Sequence, residues 1–332
     1  MPVPPRPLSA SLGVAFTCAA ARTAGETRAR LRAKDVEIVF CGARRRVAPA
    51  NLGEGFDRPG EPLHRDREIV RRVHALADAY APLMVAHAFV TGRSAAAMLG
   101  APVVDPGGEL DVGVIAPHRA PRRSGIRGHK IDERLVTVIE RDGRRISDGA
   151  STWAMLGREL STRDLVRLGD ALVRIPRGSG GRPMPHLQIT TPDQLRSTVD
   201  AGRRMGAPRL RAALELIRVG AMSPLETDWR LGAAEAGLPE PLLDVEIRTP
   251  DGRLLGIADA AYPGYRTLVE VEGDHHRTDR AQWERDIEKH AAYIAHGWTP
   301  VRLTASHIRG YAATAPRILG DALRRAGWRP TV

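Results

Sequence analysis

The chain has 332 residues, more than one ordinary hydrophobic core requires, so two or three domains are expected. Its hydrophobic content of 42% is typical of globular proteins and argues against a disordered chain. The net charge of +11 permits an acidic partner such as nucleic acid. It does not prove one, because only three of the 50 basic residues are lysines, and so uniform an arginine excess indicates coding bias.

Cysteine usage and hydropathy indicate the compartment. Cys18 and Cys41 stand alone, which argues against a zinc framework or a disulfide scaffold and fits a reducing cytoplasm. The stretch Leu8–Ala21 has some character of a signal peptide, but serines and prolines dilute it. No apolar run approaches the roughly 20 residues that a membrane span needs. We therefore expect a cytoplasmic protein without a membrane segment.

The N-terminal residues 14–47 have the pattern of a compact helix-turn-helix unit. Thr17 is expected to cap a short helix that ends before Gly25, and Thr27 a second helix over Arg28–Ala33. A strand at Glu37–Phe40 and a basic wing follow. The predicted DNA contacts are arginines of the second helix and of the wing: Arg28, Arg30, Arg32, Arg44, Arg45 and Arg46. A small helical subdomain with an arginine-rich surface explains this pattern equally well.

A linker is predicted at Val47–Pro62, followed by a middle region. Its predicted elements are helices around Ile69–Ala77 and Ser94–Leu99, strands at Leu110–Ala116 and Leu135–Ile139, a turn at Asp142-Gly143, and helices at Ala150–Leu160 and Thr162–Val173. The glycine-rich stretch Arg177–Arg182 lacks the Gly-Lys-Ser/Thr ending of a phosphate loop, which favours a flexible loop. No catalytic constellation is evident in this region.

The pattern changes from Ala207 to one helix, a run of strands, a second helix and a strand. Ser223 is expected to cap the first helix, with Glu226 reaching back to the cap amide. Two strand-like runs, Ile257–Tyr262 and Thr267–Glu272, flank a four-residue turn. If Tyr262 pairs with Thr267 across that turn, Asp259 lies opposite Glu270, and Glu272 shares the face of Glu270.

Three carboxylates on one face of a buried hairpin require a compensating cation. Arginine pairing supplies one solution, and a divalent metal such as Mg²⁺, which favours oxygen ligands, supplies the other. The alternative is a solvent-exposed acidic strand end with a one-residue error in the register. The pattern favours a metal site, because charged residues are rarely buried without a partner.

A candidate proton acceptor follows the acidic strand. Gly273 ends the strand, and a neutral imidazole at His275 or His276 would accept a proton from an attacking water or orient that water. The alternative is that two adjacent histidines in a loop between a strand and a helix are incidental. A helix is predicted from Arg280 to His296, capped by Asp279, before a strand at Thr299–Leu303. The residues predicted to form the buried stripe of this helix are Trp283, Ile287, Ala291 and Ile294, which leaves Lys289 on another face.

These C-terminal residues resemble the very-short-patch-repair-like endonuclease family of the PD-(D/E)XK superfamily. The resemblance rests on Asp259, on Glu270-Val271-Glu272-Gly273 and His276, on Arg285-Asp286, and on Gly297-Trp298 leading to Val301-Arg302. It implies a restriction-endonuclease-like mixed sheet flanked by helices and Mg²⁺-dependent cleavage of DNA. The implied acidic residues are Asp259, Glu270 and Glu272, with Glu226 as the acid on a helix. Glu272 replaces the usual lysine of the superfamily, so the general base stays open between His276 and Lys289.

The first two-thirds of the chain resembles the AbiEi-type antitoxin and regulator family. The resemblance rests on the stretch Ala19–Arg32, Phe89 with Ser94–Gly100, Gly128-His129, Ile146-Ser147 with Thr152-Trp153, and Gly169–Leu172. It implies a winged-helix DNA-binding segment followed by a small α/β domain.

Together the patterns predict an α/β chain with three parts: a winged-helix segment and linker at residues 1–60, a middle α/β domain at 61–200 and a nuclease domain at 207–332. The expected function is endonucleolytic hydrolysis of DNA with Mg²⁺ (or Mn²⁺), held by Asp259, Glu270 and Glu226. The alternative is an AbiEi-like antitoxin or transcriptional regulator with a degenerate nuclease fold; an RNA-directed nuclease is a third hypothesis. The expected partners are DNA and either a cognate toxin or a second copy of the chain.

Overall fold

The computed structural model describes residues 5–47, 64–101, 107–272, 280–310 and 313–330, with the side chains of all but 64–66 and 280–285. Over these ranges the protein is a mixed α/β chain. It divides into two compact units, Met1–Leu156 with Ser197–Arg204, and Gly157–Arg196 with Met205–Val332. Within the described ranges, no helix combines the length and the apolar character needed to cross a bilayer. The predicted linker lies, from residue 48 onward, outside the described residues.

The first unit begins with a small antiparallel sheet of strand order β1-β3-β2. Its elements are β1 (Ala15–Thr17), α1 (Cys18–Thr23), β2 (Val36–Phe40) and β3 (Ala43–Arg46). The first predicted helix is confirmed, since the Thr17 side chain accepts a hydrogen bond from the Ala20 amide at 2.9 Å. Gly25 turns the chain out of it with a φ of 80°, a conformation that favours glycine.

The second predicted helix, Arg28–Ala33, is wrong as an α-helix. Thr27 does cap the segment, accepting from the Arg30 amide at 3.1 Å, but only a 3-10 turn forms at Arg30–Arg32. So short a segment gains little from helical hydrogen bonding alone. The Arg30 side chain instead binds both carboxylate oxygens of Asp35, at 2.8 and 2.6 Å, just before β2 begins.

A five-stranded mixed sheet forms the rest of the first unit, with strand order β6-β5-β4-β8-β7. Its elements are α2 (His64–Tyr80), β4 (Ala88–Val90), α3 (Gly92–Met98), β5 (Leu110–Ile115), β6 (Ile126–Ile131), β7 (Val138–Arg141), β8 (Arg144–Ser147) and α4 (Gly149–Met155). The β4–β8 and β5–β6 pairs are parallel. The predicted turn at Asp142-Gly143 is confirmed, with φ values of 51° and 70° between β7 and β8.

Two predicted elements of this unit have different bounds. The strand predicted at Leu135–Ile139 starts only at Val138, because Asp132 caps a 3-10 turn at Glu133–Leu135 by accepting from the Arg134 amide. The helix predicted at Ala150–Leu160 ends as an α-helix at Met155 and continues as a 3-10 turn.

The second unit contains a four-stranded mixed sheet of order β12-β11-β10-β9, in which β11 and β12 are parallel. Its elements, with α6 crossing the division between the units, are α5 (Thr162–Val173), α6 (Pro192–Asp200), α7 (Ala207–Leu216), α8 (Pro224–Glu235), β9 (Leu242–Arg248), β10 (Leu254–Tyr262), β11 (Thr267–Glu272), α9 (Arg280–Ala295), β12 (Thr299–Thr304), α10 (Ala305–Arg309) and α11 (Ala315–Arg325). One face of the sheet packs with Trp229 of α8 and Leu319 of α11. The other face packs with Tyr293 of α9.

Candidate functional site

The β10–β11 hairpin carries the predicted acidic residues. Tyr262 pairs with Thr267 as predicted, but the ladder ends at Ala260 with Val269, one residue short of the predicted Asp259–Glu270 pair. Beyond that point Oδ2 of Asp259 accepts a hydrogen bond from the Val271 amide at 2.6 Å. The side chain of Asp259 therefore satisfies a donor of β11 where the recorded strand pairing has ended.

The alternation of side chains breaks beside Asp259. On β10, Ala258 and Ala260 belong to hydrophobic clusters on opposite faces, although residues two apart in a regular strand share a face. On β9, Leu243 and Val245 likewise pack with opposite clusters, and Asp244 between them has a φ of 52°. The irregularity therefore occurs in neighbouring strands at the level of the acidic residues.

Glu226 lies at the start of α8, where Ser223 caps the helix by accepting from the Glu226 amide at 3.2 Å. Its Oε2 accepts from the Met222 amide at 2.8 Å, so the predicted bond to the cap amide of Ser223 is replaced by one to the preceding residue. Burial, and secondarily the charge of Asp259, raise the pKa of Glu226 to about 8. Glu226 therefore keeps its proton at neutral pH in the absence of a cation.

Glu270 is buried on β11 and accepts a hydrogen bond from Nζ of Lys289 at 2.9 Å. Burial raises its pKa to about 7 despite the opposing charge of Lys289, and the charge of Asp259 raises it further. Its second oxygen, Oε1, is buried and has no hydrogen-bond partner among the described residues. Leaving a buried polar atom without a partner costs free energy, so this oxygen would gain by binding a cation.

Glu272 occupies a different environment from Glu270. It is two residues further along β11, hence on the face of Glu270, as predicted. Its carboxylate forms a salt bridge with Arg302 of β12, whose side chain is 56% exposed. Of the two ways of compensating the acids that the sequence left open, arginine pairing therefore occurs at Glu272. Glu270 is paired with a lysine.

The orientation of α9 differs from the prediction. Ile287 and Ile294, placed in the buried stripe by sequence, are 48% and 62% exposed, and Ala291 is exposed as well. The side chain of Trp283 lies outside the described residues. Instead, Lys289 and the fully buried Tyr293 face the sheet. The ammonium group of Lys289 thereby contacts the carboxylate of Glu270 on β11. The ion pair with Glu270 accounts for this inversion, because it compensates a buried charge.

A glycine on β10 makes room for these two side chains. A Cβ on Gly256 would lie 2.5 Å from Oη of Tyr293 and 2.7 Å from Cγ of Lys289. The Tyr293 hydroxyl is buried without a hydrogen-bond partner among the described residues. The sequence analysis assigned no role to Gly256 or Tyr293. Two signals could have indicated them: a glycine inside a strand often marks a close approach of another segment, and Tyr293 follows Lys289 by one helical turn.

The glycine-rich stretch that was predicted to be a flexible loop is held against the sheet. Arg177 donates to Oδ1 of Asp244 at 2.7 Å and to Oε1 of Glu246 at 3.2 Å on β9. Gly181 lies so close to Ile257 of β10 that a Cβ would approach its Cδ1 to 2.6 Å. Arg177 thereby neutralises Asp244, whose charge also contributes to raising the pKa of Glu226.

The arginines predicted to contact DNA fall into two groups. Arg28 and Arg32 are exposed and have no partner among the described residues, whereas Arg30, expected to be exposed, is buried on Asp35. The wing arginines bond to their own unit: Arg44 to carbonyl oxygens of Leu31 and Ala43, Arg45 to Glu37, and Arg46 to carbonyl oxygens of Ser9, Leu12 and Gly13. Arginine engaged in this way is less available to phosphate.

The donor set of the hairpin fits a cation held by two carboxylates. Within the part of the chain that the structure describes, no three His, Cys, Asp or Glu side chains are grouped so as to hold a metal ion. His275 and His276, the predicted proton acceptors, lie outside the described residues. Mg²⁺ is commonly bound by one or two protein carboxylates, with waters and substrate phosphates completing the octahedron. Asp259 and the unpaired oxygen of Glu270 supply the two protein carboxylates that such a Mg²⁺ site requires.

Comparison with protein-family models, with curated proteins and with solved structures finds no match to this chain. The two family resemblances therefore rest on their motif residues alone.

Proposed function

We propose that the second unit is a metal-dependent endodeoxyribonuclease, a hydrolase of DNA phosphodiester bonds of the very-short-patch-repair-like type, acting with Mg²⁺ or Mn²⁺ in the cytoplasm. The observation that carries the proposal is the buried carboxylate of Glu270, which has an unpaired oxygen and an elevated pKa, beside Asp259. A carboxylate in this state gains a partner and loses its proton when a divalent cation binds.

In this proposal each residue has a defined task. Asp259 and Glu270 hold the cation, whereas Glu226, which the described residues do not group with them as a third ligand, is coupled to Asp259 through its charge. A bound Mg²⁺ supplies charge stabilisation at the phosphate and activates a water molecule. Lys289 orients Glu270 through its 2.9 Å hydrogen bond and, with its ammonium group beside the acids, is also placed to neutralise a phosphate oxygen. Glu272, already paired with Arg302, has a supporting role.

The architecture of the second unit supports the proposal. A mixed sheet of order β12-β11-β10-β9 carries helices against both faces, as the resemblance to restriction-endonuclease-like folds implies. Asp259 and Glu270 come from adjacent strands at the point where the recorded β10–β11 pairing has ended, which leaves their side chains to bind other groups. For the first unit we propose an AbiEi-like DNA-binding role, with a winged-helix-like N-terminal sheet and the small α/β domain.

The proposal is tested by cleavage of supercoiled plasmid with Mg²⁺, with Mn²⁺ and with EDTA. The wild-type protein is expected to nick or linearise plasmid only with a divalent cation, and Asp259→Asn should lower the rate at least about a hundredfold. The matched control is Asp251→Asn, which removes an exposed carboxylate from the β9–β10 turn. Sequence-selective DNA binding by the wild type without any cleavage would overturn the nuclease and favour the regulator.

A further inference from the structure

The connection between β5 and β6 in the first unit is strongly basic. Residues 116–131 contain no aspartate or glutamate, and their basic side chains are Arg119, Arg122, Arg123, Arg127 and Lys130. Arg127 is compensated by Glu109, at 2.9 Å, and Arg123 donates to the carbonyl oxygen of Cys41. Arg119 and Arg122 are exposed and form no hydrogen bond or ion pair with the described residues. Two cations of the loop, residues 116–125, therefore face solvent where the sequence contains no carboxylate, and Lys130 on β6 is exposed as well.

The loop, residues 116–125, is anchored at several points. His118 stacks on His87, which precedes β4, with ring centroids 3.7 Å apart. Gly128 of β6 packs so closely on the loop that a Cβ would lie 2.2 Å from the carbonyl oxygen of Pro121. Arg123 fixes the far end to Cys41 in the turn between β2 and β3. Such anchoring lowers the entropic cost of ordering the exposed arginines in a complex.

We infer that this loop, residues 116–125, binds the phosphate backbone of duplex DNA through Arg119 and Arg122, an inference that rests on the DNA-binding role proposed for the first unit. Arginine presents a planar fork of donors that matches a phosphate bidentately, and two unpaired forks on an anchored loop suit consecutive phosphates. The loop lies beside the turn of the N-terminal hairpin, whose own arginines are engaged within the unit. The loop therefore offers phosphate contacts that the wing arginines do not, in addition to the exposed Arg28 and Arg32 of the N-terminal segment.

The composition of the loop separates duplex DNA from other acidic partners. Sites for single strands rely on aromatic side chains that stack on bases, and residues 116–131 contain no Phe, Tyr or Trp. Membrane surfaces are bound with the help of large apolar side chains, and residues 116–125 consist of Ala, Pro, His, Arg, Ser and Gly. A backbone contact of this kind positions the protein on the duplex and carries no sequence information.

The test measures DNA binding by the full-length protein in EDTA, so that its outcome is independent of the proposed cleavage. Fluorescence anisotropy of a labelled duplex of about 20 bp, recorded from about 50 to 200 mM salt, gives the affinity and its salt dependence. Arg119→Ala/Arg122→Ala is expected to weaken binding about tenfold. It should also reduce the slope of log affinity against log salt by about two, one phosphate contact for each arginine.

Two further variants keep the inference falsifiable. Arg134→Ala/Arg141→Ala removes the same charge from exposed positions with neighbouring carboxylates, and should stay within about twofold of wild type. Gly128→Ala keeps both arginines but displaces the loop, and should weaken binding without changing the net charge. Equal losses in both double variants, or an unchanged slope in Arg119→Ala/Arg122→Ala, would overturn the inference. Tighter binding to polyglutamate, to anionic vesicles or to single-stranded RNA than to the duplex would overturn it as well.

Discussion

Gly256 on β10 and Lys289 on α9 lie in direct contact, and a Cβ on the glycine would come within 2.7 Å of Cγ of the lysine. The ammonium group of the same lysine donates to Glu270 of β11 at 2.9 Å. The position of the ion pair at the candidate site therefore depends on the absence of a side chain one strand away.

Replacing Gly256 with alanine should displace Lys289 and Tyr293 together. We expect a loss of about 1–3 kcal/mol in the free energy of unfolding, as overpacking usually costs, and a larger proportional loss of nuclease activity. Urea unfolding and plasmid cleavage measure the two effects. The matched control is Gly264→Ala in the hairpin turn, where a Cβ meets no atom within 4 Å. Similar effects of the two substitutions would contradict the packing role of Gly256.

Tyr293 offers a test of the unpaired hydroxyl. Tyr293→Phe removes a buried oxygen that has no partner among the described residues, so the free energy of unfolding should stay the same or rise by up to about 1 kcal/mol. Tyr293→Ala should lower it by about 3–5 kcal/mol, because a large buried ring is lost. A clear destabilisation by Tyr293→Phe in urea unfolding would show that the hydroxyl has a partner.

The raised pKa of Glu226 predicts a pH dependence of stability. Its pKa is about 8 in the folded protein against 4.5 for an unperturbed side chain. The folded state therefore holds the proton of Glu226 more tightly than the unfolded state, which stabilises the fold at low pH. This stabilisation is complete below pH 4.5 and is lost as the pH rises toward about 8. Relative to wild type, Glu226→Gln should gain stability between pH 5 and 8, on the order of 2 kcal/mol.

Urea unfolding of wild type and variant at several pH values, without metal, measures this difference. The control is Glu235→Gln on the same helix, where the glutamate is exposed and should contribute little. A difference between wild type and Glu226→Gln that does not change with pH would show that Glu226 ionises normally.

Arg30 separates the structural from the DNA-binding interpretation of the N-terminal arginines. Because its guanidinium binds Asp35 through two hydrogen bonds while largely buried, Arg30→Ala should cost about 2 kcal/mol of unfolding free energy. Arg28→Ala removes an exposed, unpaired side chain and should change stability by no more than about 0.5 kcal/mol. Thermal unfolding compares them, and equal melting temperatures would contradict the assignment.

The sequence predicted local features more accurately than tertiary ones. The cap at Thr17, the turn at Asp142-Gly143 and the pairing of Tyr262 with Thr267 depend on neighbouring residues, and all are confirmed. The buried face of α9 was wrong because apolar periodicity indicated Ile287 and Ile294, whereas the ion pair of Lys289 with Glu270 decides the orientation. Hydrophobic patterning carries no information about a polar contact between distant segments.

The sequence predicted which acidic residues form the candidate site, but not how their side chains are arranged. Asp259 and Glu270 stand out in the hairpin, but the sequence does not indicate that the ladder stops before them or that Asp259 accepts from the Val271 amide. The roles of Gly256 and Arg177 likewise depend on contacts between segments far apart in the chain. The arginines were assigned to DNA by position alone, and only the structure distinguishes the paired Arg30 from the exposed Arg28.

Calorimetric titration of Mn²⁺ into the protein at pH 7 measures whether Asp259 and Glu270 hold a divalent cation. We expect saturable binding by the wild type with release of protons, because pKa values of about 8 for Glu226 and about 7 for Glu270 leave these carboxyls partly protonated at pH 7 without metal. Asp259→Asn should abolish both the binding and the proton release, whereas Asp251→Asn should leave them unchanged. Absence of binding by the folded wild type, or equal binding by Asp259→Asn, would show that these carboxylates do not form a metal site.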